Sequence, residues 1–456
     1  MAKFFDIPSS GHTLSQILSR SGGAVDKIFD IPSPGHTLSR ILSRSEGAVD
    51  KTSEGFEPTF SHGMRKTAQD SRLSFESSAQ QSIIQVLNIC LSVRCNWTTK
   101  CQEECMDKLQ MKGVILPGNS TVEVKGFEIP KPGHGQVLVQ TKASTICGSD
   151  IRAIYRAHVG KGAEGYIPGT VAGHEPCGVI VEEGEGLRRF KKGDRVIVYH
   201  ISGCGVCNDC RRGYYISCKS PFRQAYGWQR NGGMAPYILA DEKDLVALPD
   251  ELTYKDGAQV ACGFGTVYEA IEKIGVCGND AVLVTGLGPV GLAALMLAKA
   301  MGANLLIGVE TNDYRIELAR RLGLIDHVFK AGDGTLDEIF AVTGGRGVER
   351  AIDASASDAG RQLAIRATRE WGKIAFVGEG GTCTFNPSPD IIHGQKTIYG
   401  SWVTSLWKME ELVERLVRWG IHPEILITDE FPLEKAAEAY TLMASGDCGK
   451  VAVVFD

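Results

Sequence analysis

Strand-like and helical segments alternate in the C-terminal part of this chain, and that alternation constrains its fold most. From about residue 264, apolar runs such as "AVLVTG" and "LLIGVE" alternate with amphipathic runs such as "GPVGLAALMLAKAMG" and "GRQLAIRATREWG" (360–372). This βαβ rhythm predicts a parallel sheet wrapped by helices on both faces. We therefore predict an α/β fold containing a doubly wound parallel-sheet domain.

A glycine-rich turn follows the first of these strands. In "VLVTGLGPVGLAAL" a strand ends at the first glycine of G-x-G-x-x-G, and a helix follows the third. The glycines permit a tight turn, close approach of a pyrophosphate to the backbone and close helix packing, and the helix N-terminus favours phosphate charge. The motif predicts a dinucleotide site at Gly286, Gly288, Pro289, Val290 and Gly291.

An acidic residue lies where the dinucleotide motif requires one. Glu310 ends the next predicted strand, 19 residues after Gly291. Its carboxylate can accept hydrogen bonds from the adenosine ribose and would repel a 2′-phosphate. Arg315, five positions further on, can bond the ribose without requiring a phosphate. We therefore predict NAD rather than NADP as the coenzyme.

Four cysteines lie within fifteen residues of "ISGCGVCNDCRRGYYISC", spaced C-x2-C-x2-C-x7-C. Four thiolates complete the tetrahedral shell of zinc and leave no position for a substrate. Such a site cross-links a loop that is too polar and glycine-rich to fold by itself. The spacing predicts a structural zinc site at Cys204, Cys207, Cys210 and Cys218.

A catalytic zinc needs three protein ligands and one open position. The candidates are Cys147 in "STICGSDIR", His174 in "VAGHEPCG" with Glu175 beside it, and Cys262 in "VACGFGTV". Two thiolates and an imidazole are the mixed set that zinc uses with alcohols. Taken singly, each also has a structural explanation, because buried thiols act as small hydrophobes and a lone histidine is often a core residue. Composition alone does not choose between these readings.

The motifs together resemble one family. "CGSD", "GHE", "GCGVCNDC", "GLGPVG" and "GKVAVV" fall in the same order as in the zinc-dependent alcohol dehydrogenases of the medium-chain dehydrogenase/reductase family. The resemblance covers residues 111–456. It implies a GroES-like β domain at 111–263, a Rossmann domain at 264–402 and a return to the first domain at 403–456, with the active site in the cleft between the two domains.

The resemblance also implies roles for single residues. Cys147, His174 and Cys262 would bind the catalytic zinc, with Glu175 as their acidic neighbour, and Ser149 would be the proton-relay hydroxyl. Family members of the liver type carry a relay histidine five positions after the zinc cysteine.

This chain departs from that pattern, because it has Arg152 at the position of the relay histidine. Arginine does not give up a proton at working pH. The relay then ends at Ser149 and the nicotinamide ribose, or it uses His158 or His200, and the sequence leaves these alternatives open.

The implied reaction is hydride transfer between an alcohol, or the corresponding carbonyl compound, and NAD. "CGSDIR" and the 27-residue gap from Cys147 to His174 are similar to the polyol and threonine dehydrogenase branch, so a secondary alcohol or polyol is the expected substrate. That branch often has a glutamate where Cys262 stands. Two alternatives remain: a zinc-stabilised nucleotide-binding protein without dehydrogenase activity, and a reductase of enones or quinones.

The first 110 residues resemble nothing in the family. They contain a tandem repeat, 4–27 and 28–51, identical at 20 of 24 positions, and they are polar and Ser-rich, so we predict a poorly structured extension. The net charge of −5 argues against nucleic-acid and anionic-membrane partners. No apolar run is long enough for a membrane span, and no secretory signal is recognisable. We expect a cytoplasmic homo-oligomer, a dimer or a tetramer, as in the family.

Overall fold

The computed structural model describes residues 110–156 and 165–456. The predicted N-terminal extension up to residue 109, with its tandem repeat, lies outside the described residues, and so does His158. Among the residues described, no helix combines the length and the apolar character needed to cross a bilayer.

The first part of the described chain is built on β-strands. It contains β1 (Gln110–Gly118), β2 (Thr121–Glu128), β3 (Gln136–Thr145), β4 (Pro176–Glu183), β5 (Arg195–Val198), β6 (Ile201–Ser202), β7 (Gln224–Ala225), β8 (Tyr237–Asp241) and β9 (Leu245–Ala247). β1 pairs with β2, and β6 pairs with β7. β3, β4, β5 and β9 are consecutive in a larger antiparallel sheet, and β8 also pairs with β3. Its buried side chains include Val137, Val139 and Ile180.

Helices are few in this part of the chain. A π-helical segment, Asp150–Arg156, follows β3, and a short helix α1, Asn208–Arg211, lies in the four-cysteine loop. α2 (Tyr254–Gln259) leads without a break through a π-helical segment (Val260–Phe264) into α3 (Gly265–Ile274). This continuous helix crosses the boundary that we predict between residues 263 and 264, so the domain boundaries stay predictions.

The second sheet has six strands, all parallel. They are β10 (Ala281–Thr285), β11 (Leu305–Glu310), β12 (His327–Lys330), β13 (Val348–Asp353), β14 (Thr368–Phe376) and β15 (Thr397–Gly400). Their order in the sheet is β12-β11-β10-β13-β14-β15, so the order reverses beside β10. Ligands of open α/β sheets bind at the carboxyl ends of the strands at such a switch point. The glycine-rich turn follows β10 and therefore lies there.

Helices cover both faces of this sheet. They are α4 (Pro289–Ala300), α5 (Asp313–Arg321), α6 (Thr335–Val342) and α7 (Asp358–Ala367). One apolar core contains Leu283, Ile307 and Ile374. A second core, which continues under α3, contains Val282, Val284 and Leu292. A parallel sheet buried on both faces is the doubly wound arrangement, and the predicted fold class is confirmed.

The last part of the chain returns to the first sheet. After α8 (Leu406–Trp419) come β16 (Ile427–Phe431), α9 (Ala436–Ser445) and β17 (Lys450–Val454). β17 pairs antiparallel with β3, opposing Ala452 to Thr145, and parallel with β16. The larger sheet is therefore mixed at this edge rather than wholly antiparallel.

One predicted helix is too long. The run 360–372 is helical only to Ala367, and the chain enters β14 at Thr368. The Thr368 hydroxyl donates to the Ala364 carbonyl at 2.6 Å, and its backbone is extended, so the helix cannot continue. Pairing with β13 decides the conformation of the next residues, and that pairing is not visible in a helical periodicity.

Candidate active site

Strand register brings the first candidate ligands together. β3 and β4 are antiparallel and oppose Ser144 to Pro176, so the residues after β3 face those before β4. Cys147 lies two positions after β3, and His174 lies two positions before β4. Gly173 has a φ of +88°, and a Cβ there would lie 2.6 Å from Met234. Glycine is therefore required where the chain turns to present His174.

Cys262 reaches the same place from a distant part of the chain. It belongs to the π-helical segment between α2 and α3, and π-helical turns are frequent at functional sites. One ligand atom each of Cys147, His174, Glu175 and Cys262 lies within 4.8 Å of the others. Three of the four residues are buried, and Cys262 is half-buried. Two sulfurs, one imidazole and one carboxylate at this spacing fit a zinc ion.

Asp150 orients two of these residues. Its Oδ1 lies 2.7 Å from His174 Nδ1, and its Oδ2 accepts a hydrogen bond from the Cys147 backbone N–H at 3.0 Å. Its side chain is wholly buried. A carboxylate on Nδ1 leaves Nε2 of the imidazole free for a metal. Sequence reasoning missed Asp150, although it is the last residue of the "CGSD" motif.

Glu175 is held by two other buried groups. Its Oε2 accepts from the Thr145 hydroxyl at 2.6 Å and forms an ion pair with Lys450 Nζ at 2.5 Å. Its Oε1 is buried and has no hydrogen-bond partner among the described residues. An orphaned buried carboxylate oxygen beside two thiols and an imidazole fits a bound cation. Lys450 begins β17 and lies 275 positions after Glu175, and no spacing in the sequence predicts their contact.

Proton affinities in this cluster are strongly shifted. The Cys262 thiol lowers the pKa of Cys147 well below its usual range, and His174 acts in the same direction, against the effect of burial. Burial lowers the pKa of His174, but the Asp150 carboxylate outweighs it and raises the pKa well above its usual range. Burial raises the pKa of Glu175 to about 7, although Lys450 opposes it. A group of side chains so perturbed marks a functional site.

Three residues that bear on the proton relay have different surroundings. Ser149 is half-buried at the start of the helical turn after Cys147. Arg152 is exposed, and its guanidinium donates to the Glu379 backbone carbonyl in the loop after β14. His200 is buried, with Nδ1 2.9 Å from the Ala261 carbonyl oxygen. Burial is the main cause that lowers the pKa of His200 to about 3, so its ring is neutral.

The four-cysteine loop forms a second cluster. The sulfurs of Cys204, Cys207, Cys210 and Cys218 lie within 4.8 Å of one another. The Cys204 and Cys210 sulfurs are 3.9 Å apart. Zn–S bonds of about 2.3 Å in a tetrahedron place the sulfurs about 3.8 Å apart, so the loop fits a four-thiolate zinc.

The glycine-rich turn has the shape that a dinucleotide needs. A Cβ at Gly291 would lie 1.9 Å from the Gly286 carbonyl oxygen, and a Cβ at Gly286 would lie 2.7 Å from Ser355. Gly288 is the N-cap of α4 and provides no capping side chain, and Pro289 is the first residue of that helix. The α4 N-terminus therefore keeps backbone N–H groups available for phosphate oxygens.

Glu310 and Arg315 lie beside this turn. Glu310 is buried, and its carboxylate accepts from the Leu287 N–H at 2.7 Å and from the Thr311 N–H at 2.7 Å. Arg315 Nε is buried without a partner, and Arg315 Nη1 would lie 3.4 Å from a Cβ at Gly288. A cation over an uncapped helix N-terminus fits the pyrophosphate of a dinucleotide. The structure places the predicted coenzyme residues together at the end of β10.

Two family models match the chain. Residues 133–250 match the alcohol dehydrogenase GroES-like domain, and residues 289–418 match the zinc-binding dehydrogenase model. The chain is 50% identical over 348 residues to YphC of Escherichia coli K12, an uncharacterized zinc-type alcohol dehydrogenase-like protein, covering 76% of this chain and 99% of the relative. It is 31% identical over 344 residues to the L-threonine 3-dehydrogenase of Pyrococcus horikoshii, covering 73% of this chain and 94% of that enzyme.

Solved structures show the same fold. An alcohol dehydrogenase from Escherichia coli CFT073 in complex with NADH superposes with a TM-score of 0.68 at 27% identity, covering 76% of this chain and 100% of that chain. A zinc-binding dehydrogenase from Sinorhizobium meliloti 1021 bound to NADP gives 0.68 at 25% identity, covering 76% of this chain and 99% of that one. This protein therefore belongs to the zinc-dependent alcohol dehydrogenases of the medium-chain dehydrogenase/reductase family, oxidoreductases that act on alcohols with zinc and NAD(P).

Proposed function

We propose that Cys147, His174 and Cys262 bind the catalytic zinc of this dehydrogenase. The observation that carries the proposal is the convergence of their ligand atoms, with that of Glu175, to within 4.8 Å from three separate parts of the chain. When bound, zinc would act as a Lewis acid that lowers the pKa of a substrate hydroxyl, and NAD would accept the hydride.

The protein's own residues prepare this site. Asp150 fixes the His174 ring through Nδ1, and Lys450 with Thr145 fixes Glu175. Ser149, two positions after Cys147, is proposed to accept the proton of the substrate hydroxyl and pass it outward. Positioning of this kind removes orientational entropy from the reaction and keeps the donors in place as charge develops.

The relay beyond Ser149 is proposed to run through the nicotinamide ribose. Three observations support this route over a relay through Arg152 or His200. Arg152 cannot accept a proton, His200 is buried with Nδ1 on a backbone carbonyl, and its pKa of about 3 makes it a poor proton acceptor at neutral pH. The alternative through His158 lies outside the described residues.

NAD is the proposed coenzyme, held by the turn at 286–291 with Pro289 and Val290, by Glu310 and by Arg315. The buried carboxylate of Glu310 supports NAD over NADP, since a 2′-phosphate there would meet a negative charge. We expect the ratio of kcat/KM for NAD to that for NADP to exceed about 10. A ratio below one would contradict this assignment.

A secondary alcohol or polyol is the proposed substrate. The relatives include L-threonine 3-dehydrogenases, and a 2R,3R-butanediol dehydrogenase from Bacillus subtilis superposes at 25% identity with a TM-score of 0.68. Both names describe enzymes that oxidise a secondary hydroxyl. A panel of polyols, secondary alcohols, L-threonine and primary alcohols, followed by NADH absorbance, tests the substrate class. Turnover confined to primary alcohols would contradict it.

Metal analysis separates this proposal from its rivals. A zinc-stabilised nucleotide-binding protein, or an enone or quinone reductase, needs metal only in the four-cysteine loop. We expect about two zinc ions per chain and alcohol-dependent NADH formation that a chelator abolishes. About one zinc per chain together with unchanged turnover after chelation would refute the proposed site.

We further propose a cytoplasmic homo-oligomer, a dimer or a tetramer. The ten cysteines in the described part of the chain are all free, which suits a reducing compartment. Light scattering on the purified protein tests the oligomeric state, and a monomer at micromolar concentration would contradict it.

A further inference from the structure

Two arginines on one helical turn make the same kind of contact with different parts of the molecule. Arg152 and Arg156 both lie on the π-helical segment after β3, and both are exposed. The Arg156 guanidinium donates to the backbone carbonyl of Ala444 in α9. The Arg152 guanidinium donates to the backbone carbonyl of Glu379 in the loop after β14, and a Cβ at Gly380 would lie 3.7 Å from its Nη1. The Arg152 contact therefore joins the helical turn to the six-stranded sheet.

The Arg156 contact stays within one packed unit. The helical turn and α9 share an apolar core, to which the turn contributes Ile154 and α9 contributes Met443. Apolar packing therefore holds α9 against the turn independently of Arg156. No described residue of the loop after β14 belongs to that core, so the Arg152 contact joins two parts that this core does not hold together.

The loop that receives Arg152 is fixed on both sides of the accepting carbonyl. The guanidinium of Arg361, on α7, donates to the Gly378 carbonyl at 2.6 Å and to the Thr382 carbonyl at 3.1 Å. Glu379 lies between these two anchors in the sequence. Arg152 therefore contacts a part of the loop whose position the second sheet and α7 determine.

Asp353, the last residue of β13, connects this loop to the glycine-rich turn. Its Oδ2 accepts from Arg361 Nε at 3.3 Å, and its Oδ1 accepts from the Thr285 hydroxyl at 2.9 Å. All three side chains are buried. Thr285 ends β10 and directly precedes Gly286, the first glycine of the turn. Hydrogen bonds between buried side chains therefore connect the coenzyme turn to the loop that accepts from Arg152.

The helical turn that carries Arg152 also carries groups proposed to take part in the reaction. Ser149 is three positions before Arg152, and Cys147 is five positions before it. Asp150, on the same turn, accepts from the Cys147 N–H and faces the His174 ring. A shift of this turn relative to the second sheet would therefore change the distance between the candidate zinc ligands and the coenzyme turn.

We propose that Arg152 is a positioning residue, which fixes the zinc-binding turn relative to the coenzyme-binding edge of the second sheet. This inference rests on the proposed function, because it assumes that Cys147 and Ser149 act on the substrate hydroxyl and that NAD lies at the glycine-rich turn. Hydride transfer requires close and aligned carbons, and a displacement of about 1 Å can cost about 100-fold in rate. A single exposed hydrogen bond adds little net free energy, so the contact can open when the coenzyme enters or leaves.

Steady-state kinetics of the zinc-loaded full chain test the proposal, with the alcohol that the substrate panel identifies. Arg152→Gln should lower kcat by about 10- to 100-fold and change the KM of the alcohol by less than about threefold, because the substrate still binds but is misaligned. The hydride step should then limit turnover, so kcat of this variant should show a primary deuterium isotope effect. Arg152→Lys keeps a charged donor and should recover part of the lost kcat.

Arg156→Gln is the matched control, because it removes an arginine of the same turn whose contact does not reach the second sheet. Its kcat should equal that of the wild type. A kcat of Arg152→Gln within about twofold of the wild type, or an equal loss in Arg156→Gln, would overturn the proposal and leave the dehydrogenase function intact. Absence of the isotope effect from Arg152→Gln would do the same.

The fluorescence of bound NADH tests the contact without turnover. A nicotinamide ring held in a site that excludes water emits more strongly than one in water, so saturated Arg152→Gln should emit less than the saturated wild type. Arg156→Gln should match the wild type. This result supports the positioning role even where no alcohol is oxidised, whereas equal emission from all three proteins overturns it.

Discussion

The two sulfur-containing clusters differ in how the chain assembles them. The four-cysteine loop takes all its ligands from residues 204–218, whereas the other cluster takes them from three segments between Cys147 and Cys262. A local loop can bring its thiols together with few tertiary contacts. The dispersed cluster exists only when β3, β4 and the helix through Cys262 are already in place. We therefore expect the first cluster to stabilise the structure and the second to depend on it.

The surroundings of the two clusters differ as well. The dispersed cluster is buttressed by buried charges, Asp150 behind His174 and Lys450 behind Glu175. In the loop, backbone N–H groups approach the sulfurs: Cys204 N–H points to Cys218 Sγ and Cys210 N–H to Cys207 Sγ, each at 3.5 Å. Hydrogen bonds of this kind orient metal ligands and tune their basicity.

The loop also contacts the chain near the start of α8. The Leu406 N–H donates to the Gly213 carbonyl at 2.9 Å, and the Tyr214 hydroxyl donates to Glu269 at 3.0 Å. A Cβ at Gly213 would lie 2.9 Å from Trp407. The loop therefore contacts the junction between α3 and α8, and we expect a zinc bound there to have a structural effect beyond the loop's own fifteen residues.

The largest expected effect separates catalysis from stability. Cys147→Ala should abolish alcohol-dependent NADH formation, because it removes a proposed ligand of the open zinc site. Zinc content should fall from about two to about one per chain, with a small change in melting temperature. Cys277→Ala, an exposed cysteine outside both clusters, is the matched control. Turnover retained in Cys147→Ala would remove the distinction between the clusters.

A substitution in the four-cysteine loop tests its structural role. Cys210→Ser removes a buried thiolate from the closed shell and should cost about 3 kcal/mol, lowering the melting temperature by about 5–10 °C. The folded fraction should keep most of its specific activity at low temperature. Unchanged melting with full zinc content would contradict the assignment of Cys210 as a ligand of a structural zinc.

A smaller effect is expected from the support of the open site. Asp150→Asn keeps the shape of the side chain but removes the charge that faces His174 Nδ1. Zinc affinity at this site should fall by about 10- to 100-fold, measured by competition with a chelator, while the zinc of the loop is retained. Equal loss of both zinc ions would mean that Asp150 acts on the fold rather than on the ligand.

The smallest effect concerns pH. Backbone N–H groups of Val206 and Cys207 lower the pKa of Cys204 to about 6, whereas burial raises the pKa of Cys210 to about 12. Near neutral pH the Cys210 proton must leave when zinc binds, so affinity should rise by about tenfold per pH unit for each proton released. Chelator competition between pH 6.5 and 8.5, corrected for the chelator's own protonation, measures the slope. A flat profile would contradict the shift at Cys210.

Some of the fold was predictable because its signals are local. The glycine-rich turn, the strand β10 before it and the helix α4 after it follow one another in the sequence, and their periodicities predict them directly. The helical run after Ser357 was overestimated by five residues, because pairing of β14 with β13 overrides helical periodicity beyond Ala367. Strand pairing in the sheet decides whether such residues continue a helix or form a strand.

The candidate site also has features that the sequence predicted and features that it did not. The sequence by itself determined the four-thiol spacing, the G-x-G-x-x-G turn and the set of thiol and imidazole residues that suit zinc, because each depends on residue type and short spacing. Only the tertiary structure decided that Asp150 faces His174 and that Lys450 pairs with Glu175. The reason is physical: strand register and the return of β17 to β3 set those distances, and neither is encoded in any one segment.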